Sequence, residues 1–151
     1  MTRGATAVLD RRIINGLVIT KTGHGDEQLE SDARFHCIES GHPLPNNDSL
    51  SAGRALCRFL QAAADDREFL FLISGGTSSL VEVMPEGLAL QQLVRANQWL
   101  LGSGLAIDEI NRVRQTLSLI KGGGLLAYVK GRPATVLLIS DVPGDDPGSI
   151  G

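Results

Sequence analysis

Short, continuous apolar runs alternate along this chain with longer segments in which apolar residues recur every three or four positions. The short runs have the length and composition of buried β-strands, and they lie at 17–20, 35–39, 69–73 and 134–139. The periodic segments predict amphipathic helices at 2–12, 49–64, 90–101 and 108–120, with a short helix at 125–129. This alternation predicts an α/β fold in which a parallel sheet carries helices on both faces.

A polar loop that contains glycine follows each predicted strand, at 21–25, 41–48, 74–79 and 140–146. In an open, Rossmann-like sheet the carboxyl ends of parallel strands meet at one edge, and ligands bind in the crevice beside it. We therefore expect the four loops to converge on one site. This would also bring His24 and His42 to the crevice.

The loop after the third strand reads ISGGTSS, from Ile73 to Ser79. Small residues allow the backbone to approach a ligand, and successive N–H groups can then point at its negative oxygens. The segment is typical of a phosphate or carboxylate site, but an ordinary strand-to-helix turn is also rich in glycine and serine. By itself, the loop does not decide between the two interpretations.

The loop after the fourth strand, SDVPGDD, contains Asp141, Asp145 and Asp146. Carboxylate oxygens at a strand end suit Mg²⁺, which shares its coordination with substrate phosphates, and paired acids could also hold sugar or polyol hydroxyls. The alternative is a turn in which Asp acts as a cap. We favour a ligand or metal role for Asp141 or Asp145.

The segment INRVRQTLSLIKGGG places Asn111, Arg114 and Ser118 on one helix face, apart from the apolar face. A polar helix face of this kind often faces solvent and has no role in ligand binding. Lys121 differs because it precedes three glycines that are expected to open the next helix, where a cation beside unpaired N–H groups would clamp phosphate. The order of lysine and glycines excludes a Walker A motif.

Composition narrows the possible functions. The 151 residues carry a formal net charge of −3, scattered basic residues and only 4% aromatics, which argues against nucleic acid or an anionic membrane as the main partner. A signal peptide and a membrane-length apolar run are both missing from the sequence, so the expected location is the cytoplasm. Cys37 and Cys57 lie in apolar patterns and are expected to be small buried hydrophobes.

Five segments together resemble the type II glycerate kinases, or glycerate 2-kinases, which are also labelled hydroxypyruvate reductases. The segments are GLVITKTGHG, ESGHPLPNNDSLSAGRAL, LFLISGGTSSL, EINRVRQTLSLIKGGGLLA and LLISDVPGDDPGSIG, in family order over nearly the whole chain. The resemblance implies phosphorylation of D-glycerate at its 2-hydroxyl, with ATP and Mg²⁺. It also implies that 1–151 is part of a large N-terminal α/β domain. The small C-terminal domain and an upstream Gly-Lys-Ala-type motif are absent, so this chain is expected to be an inactive fragment.

The resemblance also implies roles for individual residues. The catalytic residues would be Lys121, Arg114 and Asp145, and the metal ligands Asp141, Asp145 and Asp146. The residues that bind substrate or phosphate would be His42, Ser74, Gly75, Gly76, Thr77, Ser78, Asn111, Gly122 and Gly123. Thr77 replaces the third glycine of the family loop, which is expected to restrict its backbone. The implied partners are D-glycerate and a nucleotide, without nucleic acid or membrane, and the oligomeric state, including a homo-oligomer, is left open.

Two other functions remain as alternatives. One is an NAD(P)H-dependent hydroxypyruvate reductase, although the first strand is not followed by the GxGxxG fingerprint of dinucleotide-binding folds. The other is a remnant that binds ligands without catalysis. A serine-hydrolase interpretation lacks the GxSxG elbow, and the chain also lacks the HExxH motif of zinc proteases.

Overall fold

The structure, a computed structural model, describes residues 1–139. The helices are α1 Thr2–Leu9, α2 Glu27–Glu30, α3 Asn47–Ala62, α4 Thr77–Leu80, α5 Leu90–Gly102, α6 Ile107–Thr116 and α7 Leu126–Val129. The strands are β1 Gly16–Lys21, β2 Phe35–Ser40, β3 Phe69–Ile73 and β4 Ala134–Leu138. All four predicted strands are present, whereas α2 and α4 are short helices that the apolar pattern did not predict.

The strand pairs are parallel, which confirms the α/β fold class. β1 pairs with β2 along its full length, and β3 pairs with β4 with Ile73 opposite Leu138. Within residues 1–139 the strands form two separate pairs instead of one continuous sheet. All five residues of β4 are exposed, so the expected cover on both faces does not extend to this strand in the described part of the chain. An apolar pattern shows that a strand is suited to burial, but it does not specify which element covers it.

Helix α3 begins earlier than predicted because Asn46, not Asp48 or Ser49, caps it. The Asn46 Oδ1 atom accepts hydrogen bonds from the backbone N–H groups of Asp48 and Ser49, at 2.9 Å and 3.0 Å. Ser49 Oγ in return accepts from the Asn46 N–H at 3.0 Å. This reciprocal capping box satisfies N–H groups that would otherwise be unpaired and fixes where the loop after β2 enters the helix.

A small apolar core joins α3 to the segments around α4 and α7. Cys57, Val81 and Ile120 are buried at its centre, surrounded by Ile19, Leu56, Leu80, Val83, Leu125 and Tyr128. Cys57 is therefore a buried hydrophobe, as predicted. Cys37 is only half-buried on β2, and burial is the main cause that raises its thiol pKa, which disfavours a reactive thiolate.

No helix within residues 1–139 has both the length and the apolar character required to cross a lipid bilayer.

Arg132 is buried and joins the ends of two helices to β3. Its Nη atoms donate to the carbonyls of Leu60 and Ala63 at the end of α3, at 2.7 Å and 2.6 Å, while Nε donates to the Val129 carbonyl of α7 at 2.8 Å. The guanidinium carbon lies 4.7 Å from the centre of the Phe69 ring. A cation at a helix carboxyl end satisfies unpaired carbonyls and interacts favourably with the helix dipole.

Replacing Arg132 with Lys is expected to lower the free energy of unfolding by about 2–4 kcal/mol, because an ammonium cannot reproduce the planar fork of donors. Urea denaturation followed by circular dichroism measures the change. Arg58→Lys, on the exposed side of α3, is the matched control and should stay within about 0.5 kcal/mol of the native chain. An equally small effect of Arg132→Lys would contradict this structural role.

Candidate functional site

The loop after β3 turns sharply into α4 at Gly76. Gly76 is the N-cap residue and has a φ of 81°, in the left-handed region that favours glycine. A Cβ atom placed there would also lie 2.9 Å from Cε1 of His42. Both the backbone conformation and the neighbouring imidazole therefore require glycine at this position.

Thr77 does not restrict the loop as expected, because it already lies in the first turn of α4 and its φ is not positive. Its hydroxyl donates to the Ser74 carbonyl at 2.6 Å, which closes the turn. Ser78 follows with a hydroxyl that is enclosed and has no hydrogen-bond partner among the described residues. Gly76 is thus the residue of this segment that needs a positive φ, and a threonine at the next position fits a helical backbone.

The loops after β2 and β3 meet, as the α/β interpretation predicted. Nδ1 of His42 lies 2.9 Å from the hydroxyl of Ser79, and that hydroxyl lies 3.2 Å from the carbonyl oxygen of Gly76. At the end of β2, the buried Ser40 hydroxyl donates to the Leu80 carbonyl at 2.7 Å. Two of the four predicted loops therefore form one continuous surface at the carboxyl ends of their strands.

The loop after β1 is joined to β2 and not to the Gly76 turn. The Thr22 N–H donates to the Ser40 carbonyl at 3.1 Å, and the Gly25 N–H donates to Glu39 Oε1 at 3.1 Å. His24 lines a separate cavity of about 220 Å³ between α1, α2 and the β1–β2 pair. The lining of this cavity does not include 74–79. His24 is therefore not brought to the same place as His42.

The predicted acidic residues Asp141, Asp145 and Asp146 lie outside the described residues, so their metal-binding role stays a prediction. The chain leaves β4 beside the Gly76 turn, because the Ile139 N–H donates to the Ile73 carbonyl at 2.9 Å. Within residues 1–139, histidine, cysteine and acidic side chains do not gather in groups of three or more that could hold a metal ion.

Lys121 forms an ion pair with Glu82, a residue that the sequence analysis did not select. The two side chains are only 8% and 3% exposed. The second carboxylate oxygen of Glu82 accepts from the Val83 N–H at 3.0 Å, so both oxygens have partners. Burial is the main cause that lowers the pKa of Lys121, and the Glu82 carboxylate opposes that shift. Lys121 is thus a buried, neutralised cation.

Arg114 lies beside this pair and is oriented by Asn97. Its Nε donates to Asn97 Oδ1 at 2.7 Å, while Asn97 Nδ2 donates to the Leu93 carbonyl at 2.9 Å. Burial is the main cause that lowers the pKa of Arg114, and the charge of Glu82 raises it. Because Glu82 and Lys121 cancel each other, the three charges leave a net positive charge at the half-buried guanidinium.

The Lys121–Gly124 segment forms a turn and does not open a helix directly, since α7 begins at Leu126. Gly122 and Gly123 adopt positive φ values of 56° and 91°, which explains why glycine is needed at both positions. Asn111, on α6, is buried and takes part in an interaction of its own. The three glycines therefore lie in a turn before α7 and not in its first helical turn, and the anion-binding role predicted for Lys121, Gly122 and Gly123 stays a prediction.

Sequence reasoning missed Ser79, Glu82 and Asn97. Glu82 had a signal, since it is the single acid in an otherwise apolar stretch from 80 to 84. Asn97 lies on the buried face of α5 with Leu93 and Leu100, where a polar side chain needs a partner. Ser79 had no signal that separated it from the other hydroxyl residues of its loop.

A family model described as Domain of unknown function (DUF4147) matches residues 1–151. The D-glycerate 2-kinase of Thermotoga maritima is 37% identical over 145 residues, which cover 96% of this chain and 34% of that protein. The glycerate 2-kinase of Pyrococcus horikoshii is 39% identical over 146 residues, which cover 97% of this chain and 32% of that protein. The chain thus spans about a third of the length of these curated relatives.

Two solved structures share the fold. The crystal structure of glycerate kinase from Thermotoga maritima matches with a TM-score of 0.85 and 36% identity, over 97% of this chain and 34% of that one. A Pyrococcus horikoshii protein matches with a TM-score of 0.83 and 38% identity, over 97% of this chain and 32% of that one. These findings confirm the resemblance that the sequence motifs indicated.

The Glu82–Lys121 pair yields a prediction about stability. Glu82→Gln and Lys121→Met are each expected to cost about 3–5 kcal/mol, because each leaves the other group buried without its counter-charge. The double variant should lose less than the sum, with a coupling energy of at least about 2 kcal/mol. Urea denaturation of the native chain, the two single variants and the double variant gives the four free energies of unfolding from which the coupling energy is calculated.

Asp66→Asn is the control, because Asp66 and Arg67 form an exposed pair whose loss should change the free energy of unfolding by less than about 1 kcal/mol. Additive losses in the Glu82 and Lys121 variants would show that the two charges do not depend on each other.

Proposed function

The chain belongs to the DUF4147 family, and on that basis we propose that it supplies part of a site that transfers the γ-phosphoryl group of ATP to the 2-hydroxyl of D-glycerate. The names of the Thermotoga and Pyrococcus relatives support this proposal. The observation that carries it is the meeting of the Gly76 turn with His42 through Ser79, three residues before Glu82, whose buried cluster keeps one uncompensated positive charge.

The Gly76 turn would hold anionic oxygens of the nucleotide or of glycerate. Ser74, Gly75 and Gly76 are exposed at the carboxyl end of β3. Backbone N–H groups of such a turn bind negative oxygens without a side chain in the way. Thr77 and Ser78 continue the segment as hydroxyl residues. Phosphoryl transfer depends on positioning and on stabilisation of negative charge, and backbone N–H groups of this turn would contribute to both.

Arg114 is the cation that we assign to a ligand carboxylate or phosphate. Its Nε is held by Asn97, and its Nη atoms make no hydrogen bond within residues 1–139. Lys121, in contrast, donates a hydrogen bond from its ammonium group to the Glu82 carboxylate. We therefore assign Lys121 a structural role, in which it fixes the position of the Gly122–Gly123 turn and neutralises Glu82. Asn111 would contribute to the same face of α6.

Asp141, Asp145 and Asp146 are the carboxylates that we assign to Mg²⁺. The observation that fits this assignment is the exit of the chain from β4 next to Ile73, where the Ser74–Ser78 segment begins. Mg²⁺ would neutralise charge on the phosphoryl group as it is transferred. Asp145 would act in catalysis through that ion.

A chimera provides a direct test: residues 1–151 replace the matching segment of the Thermotoga maritima D-glycerate 2-kinase. We expect ATP-dependent phosphorylation of D-glycerate by the chimera, measured by formation of ADP and 2-phosphoglycerate. A folded chimera that binds neither substrate would contradict the proposal. Oxidation of NADH with hydroxypyruvate, without phosphoryl transfer, would favour the reductase interpretation instead. Binding of ATP and D-glycerate without turnover would favour a binding remnant.

In the same chimera, Arg114→Gln is expected to lower kcat/KM for D-glycerate or ATP by about 10–100-fold, because a charge-assisted hydrogen bond is lost. Arg112→Gln is the matched control, since Arg112 is exposed on the same helix, and its kinetics should stay within about twofold of the parent. Equal effects of the two variants would remove Arg114 from the proposed site.

A further inference from the structure

The contact between His42 and Ser79 is arranged differently for the two neutral tautomers of the imidazole. Ser79 is buried, and its single hydroxyl hydrogen faces two neighbours: Nδ1 of His42 at 2.9 Å and the Gly76 carbonyl at 3.2 Å. If the hydroxyl donates to Nδ1, two oxygen acceptors face each other at Gly76 without a hydrogen between them. If Nδ1–H donates to the hydroxyl, the hydroxyl donates to Gly76 and both contacts contain a hydrogen.

The second arrangement leaves Nε2 of His42 with an unshared electron pair. Within residues 1–139, Nε2 has no hydrogen-bond partner, and His42 is exposed at the surface. A Cβ atom at Gly76 would be 2.9 Å from Cε1, 3.3 Å from Nδ1 and 3.4 Å from Nε2. The Nδ1–Cε1–Nε2 edge of the ring therefore lies directly against the turn that we assign to anion binding.

We propose that Ser79 holds His42 as the Nδ1–H tautomer, and that Nε2 accepts a hydrogen bond from the hydroxyl group of an anionic hydroxy acid bound at the Gly76 turn. An anion site offers hydrogen-bond donors, and an ionised phosphate or carboxylate oxygen cannot donate in return. An acceptor placed among donors therefore selects a ligand that carries a hydroxyl beside its negative charge. Ser79 is the positioning residue. The inference rests on the proposed function and deepens it, since the 2-hydroxyl of glycerate is such a group.

The tautomer can be measured on this chain without any ligand. Long-range ¹⁵N–¹H correlation spectra of the histidine-labelled protein, at about pH 8.5 where imidazoles are neutral, show which ring nitrogen is protonated. The His42→Asn variant lacks the His42 signal and so identifies it among those of the three histidines. We expect a protonated Nδ1 in the native chain and a shift toward Nε2–H in Ser79→Ala. A protonated Nε2 in the native chain would overturn the proposal.

Ser78→Ala is the matched control for the tautomer, because the Ser78 hydroxyl is enclosed on the same short helix and has no described partner. Its spectrum should keep the native pattern at His42. A loss of that pattern in Ser78→Ala as well as in Ser79→Ala would show that the turn as a whole, and not the Ser79 hydroxyl, sets the tautomer, which would overturn the role assigned to Ser79.

Recognition of the hydroxyl is tested by titrating the labelled chain with D-glycerate and with propionate, which has the carboxylate but lacks the hydroxyl. We expect D-glycerate to shift Nε2 of His42 more than Nδ1, and propionate to leave Nε2 unchanged. Equal shifts with both probes, or no shift with D-glycerate, would overturn hydroxyl recognition. The tautomer result does not depend on phosphoryl transfer, so its failure leaves the proposed function to be judged by the chimera.

The chimera adds a pair of variants that separate the two ring nitrogens. Asn at position 42 can replace the Nδ1 donor, whereas Gln can place an acceptor near the position of Nε2. His42→Asn is therefore expected to raise KM for D-glycerate by about 10–100-fold, and His42→Gln should recover part of that loss. Neither should change KM for ATP more than about twofold. A larger loss in His42→Gln than in His42→Asn would contradict the assignment.

Discussion

The buried pairing of Glu82 with Lys121 is the interaction on which the candidate site depends. Burial removes water from both charges, so each is stabilised mainly by the other and by the N–H of Val83. The pair joins the segment after α4 to the Lys121–Gly124 turn, and the Leu119 N–H donates to the Val83 carbonyl at 2.8 Å beside it. Helix α4 also contains Ser79, which contacts His42. Movement of the Glu82–Lys121 pair would therefore displace both the Gly76 turn with His42 and the Lys121–Gly124 turn.

Because of this pairing, the two basic residues Lys121 and Arg114 have different roles. Lys121 is neutralised by the buried Glu82 carboxylate, so it would attract a negatively charged ligand only weakly. Arg114 keeps an uncompensated charge, and its position is fixed by the neutral amide of Asn97. Asn97 fixes the direction of the guanidinium without cancelling its charge, which a carboxylate in the same place would do. A neutral positioning residue is therefore the arrangement that leaves a cation available to an anion.

The sequence was sufficient to predict what is local, and insufficient for what joins distant segments. Strands and most helices follow from apolar spacing, and the turn after β3 follows from the two glycines that end its apolar run. The contacts that build the site span large separations: 39 residues for Lys121 and Glu82, 37 for His42 and Ser79, and 17 for Arg114 and Asn97. Periodicity indicates that Glu82 and Asn97 occupy apolar surroundings, but only the packing of helices selects their partners.

The two adjacent positions Gly76 and Thr77 show how the turn tolerates a departure from the glycine-rich pattern. The left-handed backbone and the imidazole contact both fall on Gly76, so any side chain there would meet strain and a clash together. Thr77 lies one step into the helix, where a Cβ atom is accommodated and its hydroxyl closes the turn onto Ser74. A glycine at position 77 would add freedom in the unfolded chain without being required by the folded backbone. The geometry at this turn therefore depends on the single glycine that touches His42.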